Sequence, residues 1–382
     1  MSEPMGGLWR GMRPLIGTVI GVGIFALPYV FAQAGFILAG LELLAIAVVS
    51  LLTFYLYGEL LFVHQNHTHF VGVVSHELGP WGKFLASASY FGALWGAMLA
   101  YMVVGGEFVG NLLVPLTGWS HVNWSLLFFF LAALAIFGGP VIISRVQGAL
   151  IPIFITLIIV LAALALPHIK TTELLTAYPA RIGLPLDVIL FAFSGFGALP
   201  EVRDVLVSRR RFRLAIAVAV TLLTLLFLLF TVAVVGLTGA STTPVAVEGL
   251  RFALKGLPFI LVSSIGLLTV FTAFVTIGQS IHNTLFYDFR WRLFSAWFLA
   301  VGIPFFLYLA GARNFINIVG ITGGFLGGIS GIILLVAYER ARHSVHLAKR
   351  SLTMPMAVTG LLFLVFVAMI VSTFIELTSL AG

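Results

Sequence analysis

Long runs of apolar residues, separated by short polar segments, dominate the chain. Eleven runs are long enough to cross the roughly 30 Å of hydrocarbon in a bilayer. Helices satisfy their own backbone hydrogen bonds in that environment, so the pattern predicts an all-helical polytopic membrane protein. We place the eleven spans, numbered in chain order, at 12–34, 36–62, 83–113, 123–139, 142–167, 184–207, 212–238, 255–287, 291–311, 315–337 and 353–378.

Two of these spans are interrupted near their centres by similar sequences. Span 1 contains GVGIFALP at residues 21–28, and span 6 contains GFGALP at residues 195–200. A helix interrupted inside a bilayer frees backbone N–H and C=O groups, which are tolerated where they line a cavity or bind a polar ligand. Two such interruptions at corresponding positions are typical of a transporter site. We call them break 1 and break 6.

The directions of the broken spans predict an internal repeat. Span 1 runs outward and span 6 runs inward, because five crossings separate them. This predicts two five-helix units, 12–167 and 184–337, related by a pseudo-two-fold axis in the membrane plane, with 353–378 as an additional eleventh helix. Together they form a single transmembrane transporter domain over 1–382. The alternative is coincidence, since glycine and proline are frequent in membrane helices.

The composition agrees with a membrane protein. The 382 residues are 61% hydrophobic and 9% charged, with a mean hydropathy of +1.15. A soluble chain needs far more polar surface. No cysteine is present, which excludes disulfides and thiolate metal sites.

The basic residues follow the predicted topology. The net charge is +7, but these residues lie in short loops between apolar spans, so we predict no nucleic-acid partner. With the N-terminus inside, 15 of the 20 Lys and Arg residues fall on the cytoplasmic side, as the positive-inside rule predicts. The other five are Lys170, Arg181, Arg251, Lys255 and Arg313. We therefore predict a multi-pass cell-membrane protein with a cytoplasmic N-terminus and an outer C-terminus.

The two breaks together predict a binding site for an amino acid. The half-helix after break 1 presents its first N–H groups and the positive end of its dipole, which suit a carboxylate. These N–H groups belong to Val22, Gly23 and Ile24. Break 6 frees carbonyls that suit an α-ammonium group. These carbonyls belong to Ser194, Gly195 and Phe196.

Aromatic residues near the breaks are candidates for the wall of an apolar pocket. They are Phe25, Tyr101, Phe193 and Phe196. The alternative for each phenylalanine is packing between helices or against lipid. Tyr101 is the stronger candidate, since its hydroxyl needs a partner at membrane depth.

Motifs in three spans resemble one family. GTVIGVG at 17–23 is similar to the first helix of the amino acid/auxin permease family, especially its bacterial aromatic amino acid permease branch. FAFSGF at 191–196 is similar to the sixth helix, and Ala100-Tyr101 with Gly105-Gly106 is similar to the third. The resemblance implies a leucine-transporter-like 5+5 inverted-repeat fold within the amino acid–polyamine–organocation superfamily.

The resemblance also implies where sodium would bind, between break 1 and span 8. The ion-site candidates are the carbonyls of Gly17 and Ile20 and the hydroxyls of Thr272 and Thr276. A threonine hydroxyl also bonds to the carbonyl one turn back in its own helix, which is the structural alternative. Ile24 stands where a sodium-coupled relative offers an amide, so we predict proton rather than sodium coupling.

Proton coupling requires an ionisable residue near the transport path. Glu107, in the outer third of span 3, and Glu201, just after break 6, are the two candidates. Each is alternatively a hydrogen-bonded structural carboxylate. Glu59 and Asp204 have simpler explanations as interfacial groups.

Two other motifs predict no chemistry. His64, His67 and His69 lie at a helix end without carboxylate or cysteine partners at a useful spacing, so we predict no bound metal. GISG at 328–331 resembles a motif of intramembrane serine proteases, but span 11 offers no histidine base. Glycines at four-residue steps in span 10 favour close helix packing instead. We predict no cofactor and no enzymatic activity.

The sequence therefore predicts a secondary active transporter. It would import a neutral, hydrophobic or aromatic amino acid by alternating access, in symport with protons. The alternatives are a sodium-coupled neutral amino acid transporter and, from a different class, an amino-acid-binding membrane sensor. Glu107 also leaves cationic amino acids or polyamines open. The predicted partners are the amino acid, the coupling ion and the lipid bilayer; the oligomeric state is not predicted.

Overall fold

The structure is a computed structural model of the chain. It describes residues 6–64, 69–117, 120–137, 141–246, 257–288, 290–342 and 354–381. Helices are the regular elements of this described part, and each predicted span is helical within it. His67, Arg251 and Lys255, which the sequence analysis considered, lie outside the described residues.

The helices match the eleven predicted spans in order. Spans 1 to 5 are Gly6–Val19 with Leu27–Ala34, then Phe36–Val63, Phe70–Thr117, His121–Phe137 and Val141–Ala165. Spans 6 to 11 are Leu184–Ala192 with Leu199–Val205, then Arg209–Thr238, Leu257–Asn283, Leu293–Leu309, Phe315–Arg342 and Met356–Ala381. Eight described helices are long and apolar enough to cross a membrane, the bent pair of span 1 makes a ninth, and spans 4 and 9 are shorter apolar helices.

Both predicted interruptions are present. The first helix ends at Val19, and a 3-10 turn at Val22–Phe25 precedes its continuation at Leu27, with a bend of 53° between the two halves. Span 6 stops at Ala192 and resumes at Leu199 after a 3-10 turn at Phe196–Ala198. A proline occupies the first turn of each resumed helix, where its missing N–H costs no hydrogen bond. The prediction of discontinuous helices 1 and 6 is confirmed.

Two helices differ from the expectation. The third helix begins at Phe70 rather than at 83, and it turns at Gly79, whose φ of +71° favours glycine. The polar residues before 83 hide this start from a search for apolar runs. In span 10, a π-helical segment at Ile321–Gly327 interrupts the α-helix. Hydropathy does not reveal a change of helix type, and such segments are frequent at functional sites.

The packing of the helices places both breaks in one group. Spans 1, 2, 6 and 7 pack against one another, and spans 3, 4, 8 and 9 form a second group. Span 5 packs on spans 7 and 8, span 10 on spans 3 and 6, and span 11 on spans 6 and 10. The broken backbone is therefore enclosed by protein, as a bilayer requires.

Glycines allow span 10 to approach its neighbours closely. A Cβ at Gly323 would collide with the Asp187 carbonyl oxygen of span 6. One at Gly328 would lie 2.8 Å from Ile370, and one at Gly331 would lie 2.5 Å from Phe366 in span 11. The predicted packing role is confirmed at these three positions.

Two acidic residues form ion pairs at helix ends. The buried Glu59 carboxylate binds Arg209 Nη1 at 2.7 Å and Arg213 Nη2 at 2.5 Å. Asp204 binds Arg203 Nη2 at 2.6 Å. Both carboxylates therefore have structural partners, which agrees with the simpler explanation.

Candidate functional site

A cavity of about 680 Å³ lies between the two breaks. Spans 1, 3, 6 and 8 contribute most of its wall, and spans 2, 5, 10 and 11 contribute the rest. Its volume is in the usual range for small-molecule sites, roughly 300–1,000 Å³. The predicted site residues that line it are Gly17, Gly23, Tyr101, Phe193, Ser194, Phe196, Glu201 and Thr276.

The other predicted site residues lie behind this wall or away from it. Among the described residues selected from the sequence, those that do not line the cavity are Ile20, Val22, Ile24, Phe25, Glu107, Gly195 and Thr272. Backbone groups of break 1 still reach the cavity, because Gly21 and Gly23 are part of its wall.

Break 1 is tightly covered by two neighbouring helices. The hydroxyl of Tyr101 lies against Gly21, so closely that a Cβ at Gly21 would overlap it. The Val22 backbone N–H donates to the same hydroxyl oxygen. On the other side, a Cβ at Gly23 would lie 2.7 Å from the Cα of Ala192, the last residue of the first half of span 6. Break 1 therefore packs directly against the end of the helix that leads into break 6.

Break 6 is more open to the cavity. Ser194 is exposed, and its hydroxyl donates to the Leu190 carbonyl at 3.2 Å. Gly195 packs against span 1, where a Cβ would lie 2.6 Å from Leu15 and 2.9 Å from Val19. Phe196 is half-buried and borders the cavity. Ser194 and the exposed Gly197 therefore present polar groups of this break to free space.

Phe25 forms an aromatic cluster on the outer side of break 1. Its ring makes edge contacts with Phe108, Phe154 and Phe230, with ring centroids 5.1, 6.1 and 6.0 Å away. All four side chains are buried. Phe25 is therefore a packing residue in this conformation, which agrees with the structural alternative rather than with a place in the pocket wall.

The cavity opens at the helix ends predicted to be cytoplasmic. Exposed lining residues there are Arg13 of span 1, His69 before span 3, Glu201 of span 6 and Asn283 of span 8. The aromatic cluster of Phe25 lies on the opposite side of break 1. The structure therefore has an open inner half and a closed outer half with respect to the predicted topology.

The two proton-coupling candidates have different surroundings. Glu201 lines the cavity and interacts electrostatically with His69 and Asp204. Glu107 Oε2 pairs with His121 Nδ1 at 2.9 Å, where both side chains are partly exposed at the ends of spans 3 and 4. The geometry therefore places Glu201, and not Glu107, at the cavity.

The threonines proposed for an ion site bond within their own helix. The Thr276 hydroxyl donates to the Thr272 carbonyl at 2.8 Å, and the Thr272 hydroxyl donates to the Thr269 carbonyl at 3.0 Å. Thr276 borders the cavity together with Gly17 of span 1. The hydroxyl oxygens keep lone pairs that can bind a cation. The observed hydrogen bonds do not require an ion.

Three polar residues near the site were missed as candidates. Gln279 and Ser50 line the cavity and are buried, and among the described residues the Gln279 Nε2 and Ser50 Oγ atoms have no hydrogen-bond partner. Asp187, in the first half of span 6, is also fully buried. A polar residue within an apolar run is the sequence signal that would have found all three.

One expectation about the histidines was wrong. The sequence analysis found no carboxylate partner for His64, but the structure places Glu77 against it. Glu77 belongs to the early part of the third helix, which the sequence analysis did not predict. His69 lines the cavity instead, and His67 lies outside the described residues.

The interrupted helices and the cavity between them define a membrane transporter of the leucine-transporter-like fold. The structure of MhsT in complex with L-phenylalanine has the same fold, with a TM-score of 0.68 over 99% of this chain and 98% of that chain, at 16% sequence identity. The predicted fold is confirmed.

The chain belongs to the tryptophan/tyrosine permease family, whose model matches residues 5–376. Tyrosine-specific transport system 1 of Haemophilus influenzae is 29% identical over 217 residues, which are 54% of this chain and 52% of that relative. Solute carrier family 38 member 10 of Mus musculus is 25% identical over 129 residues, which are 34% of this chain and 12% of that relative. The matches thus span about half, or much less, of these relatives. The resemblance to aromatic amino acid permeases is confirmed.

Proposed function

We propose that this protein imports a neutral, hydrophobic or aromatic amino acid across the cell membrane, by alternating access and in symport with protons. The cavity that joins the two breaks is the observation that carries this function. It combines backbone polar groups at both breaks with aromatic walls, which suits a zwitterion with an apolar side chain. The family, the tyrosine-specific relative and the phenylalanine complex of MhsT support the aromatic class.

In the proposed pose, the substrate carboxylate binds at break 1. The Tyr101 hydroxyl, which lies against Gly21, turns toward the carboxylate and donates a hydrogen bond to it. This movement frees the Val22 N–H, which then also donates to the carboxylate. The α-ammonium group donates to the carbonyls around Ser194, and the apolar side chain lies near Phe193 and Phe196. This assignment uses groups of break 6 that already face the cavity, and the Val22 N–H, which becomes available when Tyr101 turns.

The proposed cycle follows from the asymmetry of the cavity. With a cytoplasmic N-terminus and an outer C-terminus, the open half faces the cytoplasm and the Phe25 cluster closes the outer half. Opening outward would require this cluster to separate. The five-helix units 12–167 and 184–337 have inverted topologies. The same fold can therefore form an outward-facing state as well. No bond is made or broken, so we assign no enzymatic activity.

Among the coupling candidates, Glu201 is favoured over Glu107. Glu201 lies on the cavity wall after break 6, whereas Glu107 is bound to His121 near the outer ends of two helices. A sodium-coupled carrier is the second candidate, supported by the threonines that border the cavity near Gly17. Ile24 offers no side-chain oxygen to such an ion.

Uptake into proteoliposomes tests the function. We would supply a labelled mixture of the common amino acids under an imposed inward proton gradient and, separately, under an inward sodium gradient. Accumulation above equilibrium driven by protons is the expected result, with tyrosine, tryptophan or phenylalanine among the accumulated species. Accumulation only with sodium would move the assignment to Gly17, Ile20, Thr272 and Thr276.

Absence of accumulation under both gradients, with amino acid binding intact, would contradict the symporter. It would favour a sensor, or an exchanger that needs internal substrate. Counterflow from preloaded vesicles separates these two, because an exchanger supports it and a sensor does not.

A further inference from the structure

A buried carboxyl group in the outer half of span 6 takes no part in the proposed substrate site. Asp187 is fully buried, and its Oδ2 accepts a 2.7 Å hydrogen bond from the Thr373 hydroxyl of span 11. Among the described residues, its Oδ1 has no hydrogen-bond partner and no lysine, arginine or histidine pairs with it. A carboxylate charge is costly in such surroundings, because neither a cation nor water compensates it.

The described charged residues on the helices packed against Asp187 are acidic. Glu376 of span 11 interacts with it electrostatically. Residues 315–327 of span 10 and 22–34 of span 1 contain neither a carboxylate nor a cation. Span 2 carries Glu42, which does not interact with Asp187. Two ionised carboxylates repel each other, and binding one proton relieves this repulsion.

A second cavity gives access to this pair. It has a volume of about 710 Å³ and lies between spans 6, 10 and 11. Arg181, Asn317 and Glu376 border it near helix ends predicted to be outside, and the buried Thr373 also lines it. Thr373 therefore links the cavity to Asp187, since it lines the one and donates to the other.

Asp187 also lies where span 6 approaches span 10 most closely. Its backbone carbonyl lies against Gly323, and its side chain lies against Gly324, both in the π-helical segment Ile321–Gly327. A change of charge on Asp187 would act directly on this contact. It would thereby act on the helix that leads into break 6.

We propose that Asp187, together with Thr373 and Glu376, forms a proton-binding site that is loaded from the outer cavity. A proton passes from water in that cavity to Glu376 and then to the Asp187 carboxylate, whose O–H replaces a buried negative charge. The neutral form lets span 6 and the π-helical segment stay packed. This site deepens the proposed proton symport and rests on it for its role in coupling.

Infrared difference spectroscopy tests the site without reference to transport. The wild-type protein in lipid should show the C=O stretch of a buried, protonated carboxylic acid at neutral pH. Asp187→Asn should remove one such band, and Thr373→Val should shift its frequency because it loses the hydroxyl donor. Thr359→Val, on the same helix but bonded to its own Met356 carbonyl, should leave the band unchanged. A spectrum that Asp187→Asn does not alter would overturn the site.

Two conservative variants cover the case in which Asp187→Asn does not fold. Glu376→Gln should shift the pH at which the band appears, and Thr373→Val should shift its frequency. If both leave the band and its pH dependence unchanged, the site is wrong.

Transport assays then separate this site from the proposed function. In a wild-type protein that accumulates substrate with protons, Asp187→Asn should lose accumulation but keep counterflow, which needs no net proton movement. Retained proton-driven accumulation would overturn the coupling role. If the wild type itself shows no proton-driven accumulation, the proposed function fails, while the infrared band still decides whether Asp187 binds a proton.

A different cluster of ligand-type side chains lies at the inner ends of spans 2 and 3. His64 follows the last helical residue of span 2, and His76 and Glu77 belong to the early part of the third helix. Glu77 Oε1 lies 2.5 Å from His64 Nε2 and 3.4 Å from His76 Nδ1. One ligand atom from each of the three residues lies within 4.8 Å of the others.

The burial of this cluster resembles that of a metal site with one open side. The side chains of His64 and Glu77 are 11% and 10% exposed, whereas His76 is 52% exposed. Two imidazoles and one carboxylate are a zinc-binding donor set that leaves a fourth position for water. We infer that this cluster binds a divalent transition metal of the zinc class. Such an ion would tie the inner end of span 2 to the segment before the Gly79 turn.

Metal titration of the purified protein tests this second site. Cobalt should produce the visible absorption of a tetrahedral complex, and zinc should displace it with about one metal per chain. His76→Ala and Glu77→Gln should each lose this binding, whereas His168→Ala, an exposed histidine in an outer turn, should retain it. Absence of cobalt absorption in the wild type, or an equal loss in His168→Ala, would leave only a histidine–carboxylate contact.

Discussion

The two breaks have almost the same sequence but different surroundings. At break 1, Val22, Gly23, Ile24 and Phe25 are all buried, and helices on two sides cover the backbone. At break 6, Ser194 is exposed to the cavity. Gly23 of break 1 meets backbone, at Ala192, whereas Gly195 of break 6 meets side chains of span 1. A shared motif thus produces one closed and one open interruption.

This difference assigns different tasks to the two breaks. Break 1 is held in place by its neighbours, and its Val22 N–H becomes available only when Tyr101 moves. Break 6 already presents polar groups to free space. We therefore expect substitutions at break 1 to affect folding and binding together, and those at break 6 to affect binding more selectively.

The largest effect is expected for Gly23→Val. Its added atoms would collide with the backbone of Ala192, which cannot turn away as a side chain can. Overpacking of this kind costs typically about 1–3 kcal/mol, and a backbone contact belongs at the upper end. Thermal unfolding in detergent should shift strongly downward and uptake should be lost. Gly40→Val is the matched control, because no atom lies within 4 Å of the added Cβ; a similar loss there would contradict the packing argument.

A smaller effect is expected for Tyr101→Phe. The change removes the hydroxyl that accepts from the Val22 N–H and leaves that buried donor without its partner, at a cost of about 1–3 kcal/mol. If the hydroxyl also binds the substrate carboxylate, the apparent KM should rise by about tenfold, equivalent to about 1.4 kcal/mol. Initial uptake rates at several concentrations measure this. An unchanged KM with lowered stability would limit Tyr101 to a structural role.

Gly195→Ala should act more weakly than Gly23→Val. The nearest atoms to its Cβ are the ends of the Leu15 and Val19 side chains, which can shift by rotation. We expect a stability loss of under about 1.5 kcal/mol, the scale of small packing changes, with binding retained. Comparing the unfolding temperatures of the two glycine variants measures the contrast directly. Equal losses would show that the two breaks are equally constrained.

The smallest effect is expected for Ser194→Ala. Its hydroxyl donates to the carbonyl of Leu190 in its own helix, and exposed bonds of this kind contribute about 0.5–1.5 kcal/mol at most. The proposed contact to the α-ammonium group uses the backbone, which the substitution preserves. Substrate affinity should therefore stay close to that of the wild type. A loss of binding would show that the hydroxyl itself holds the substrate.

The sequence predicted the helices and the breaks because hydropathy and glycine–proline content report directly on them. It could not separate the roles of the break residues. Contacts between distant spans decide whether the Val22 N–H faces the cavity or the Tyr101 hydroxyl. The pairing of Glu107 with His121 and of His64 with Glu77 also arises only from packing. Asp187 differs from these cases. As a lone carboxylate inside an apolar run it was visible in the sequence, although the sequence analysis did not select it.

The ion pairs of Glu59 have a mechanical consequence. One buried carboxylate holds two arginines of span 7, so the inner ends of spans 2 and 7 are cross-linked by charge rather than by a flexible contact. Breaking this link would leave a charge without compensation in a nearly dry setting. We therefore expect spans 2 and 7 to move together as one rigid body. Among the described residues, spans 1 and 6 pack on this pair without an ion pair to it, so we expect bending to be concentrated at their breaks, where the backbone is already unwound.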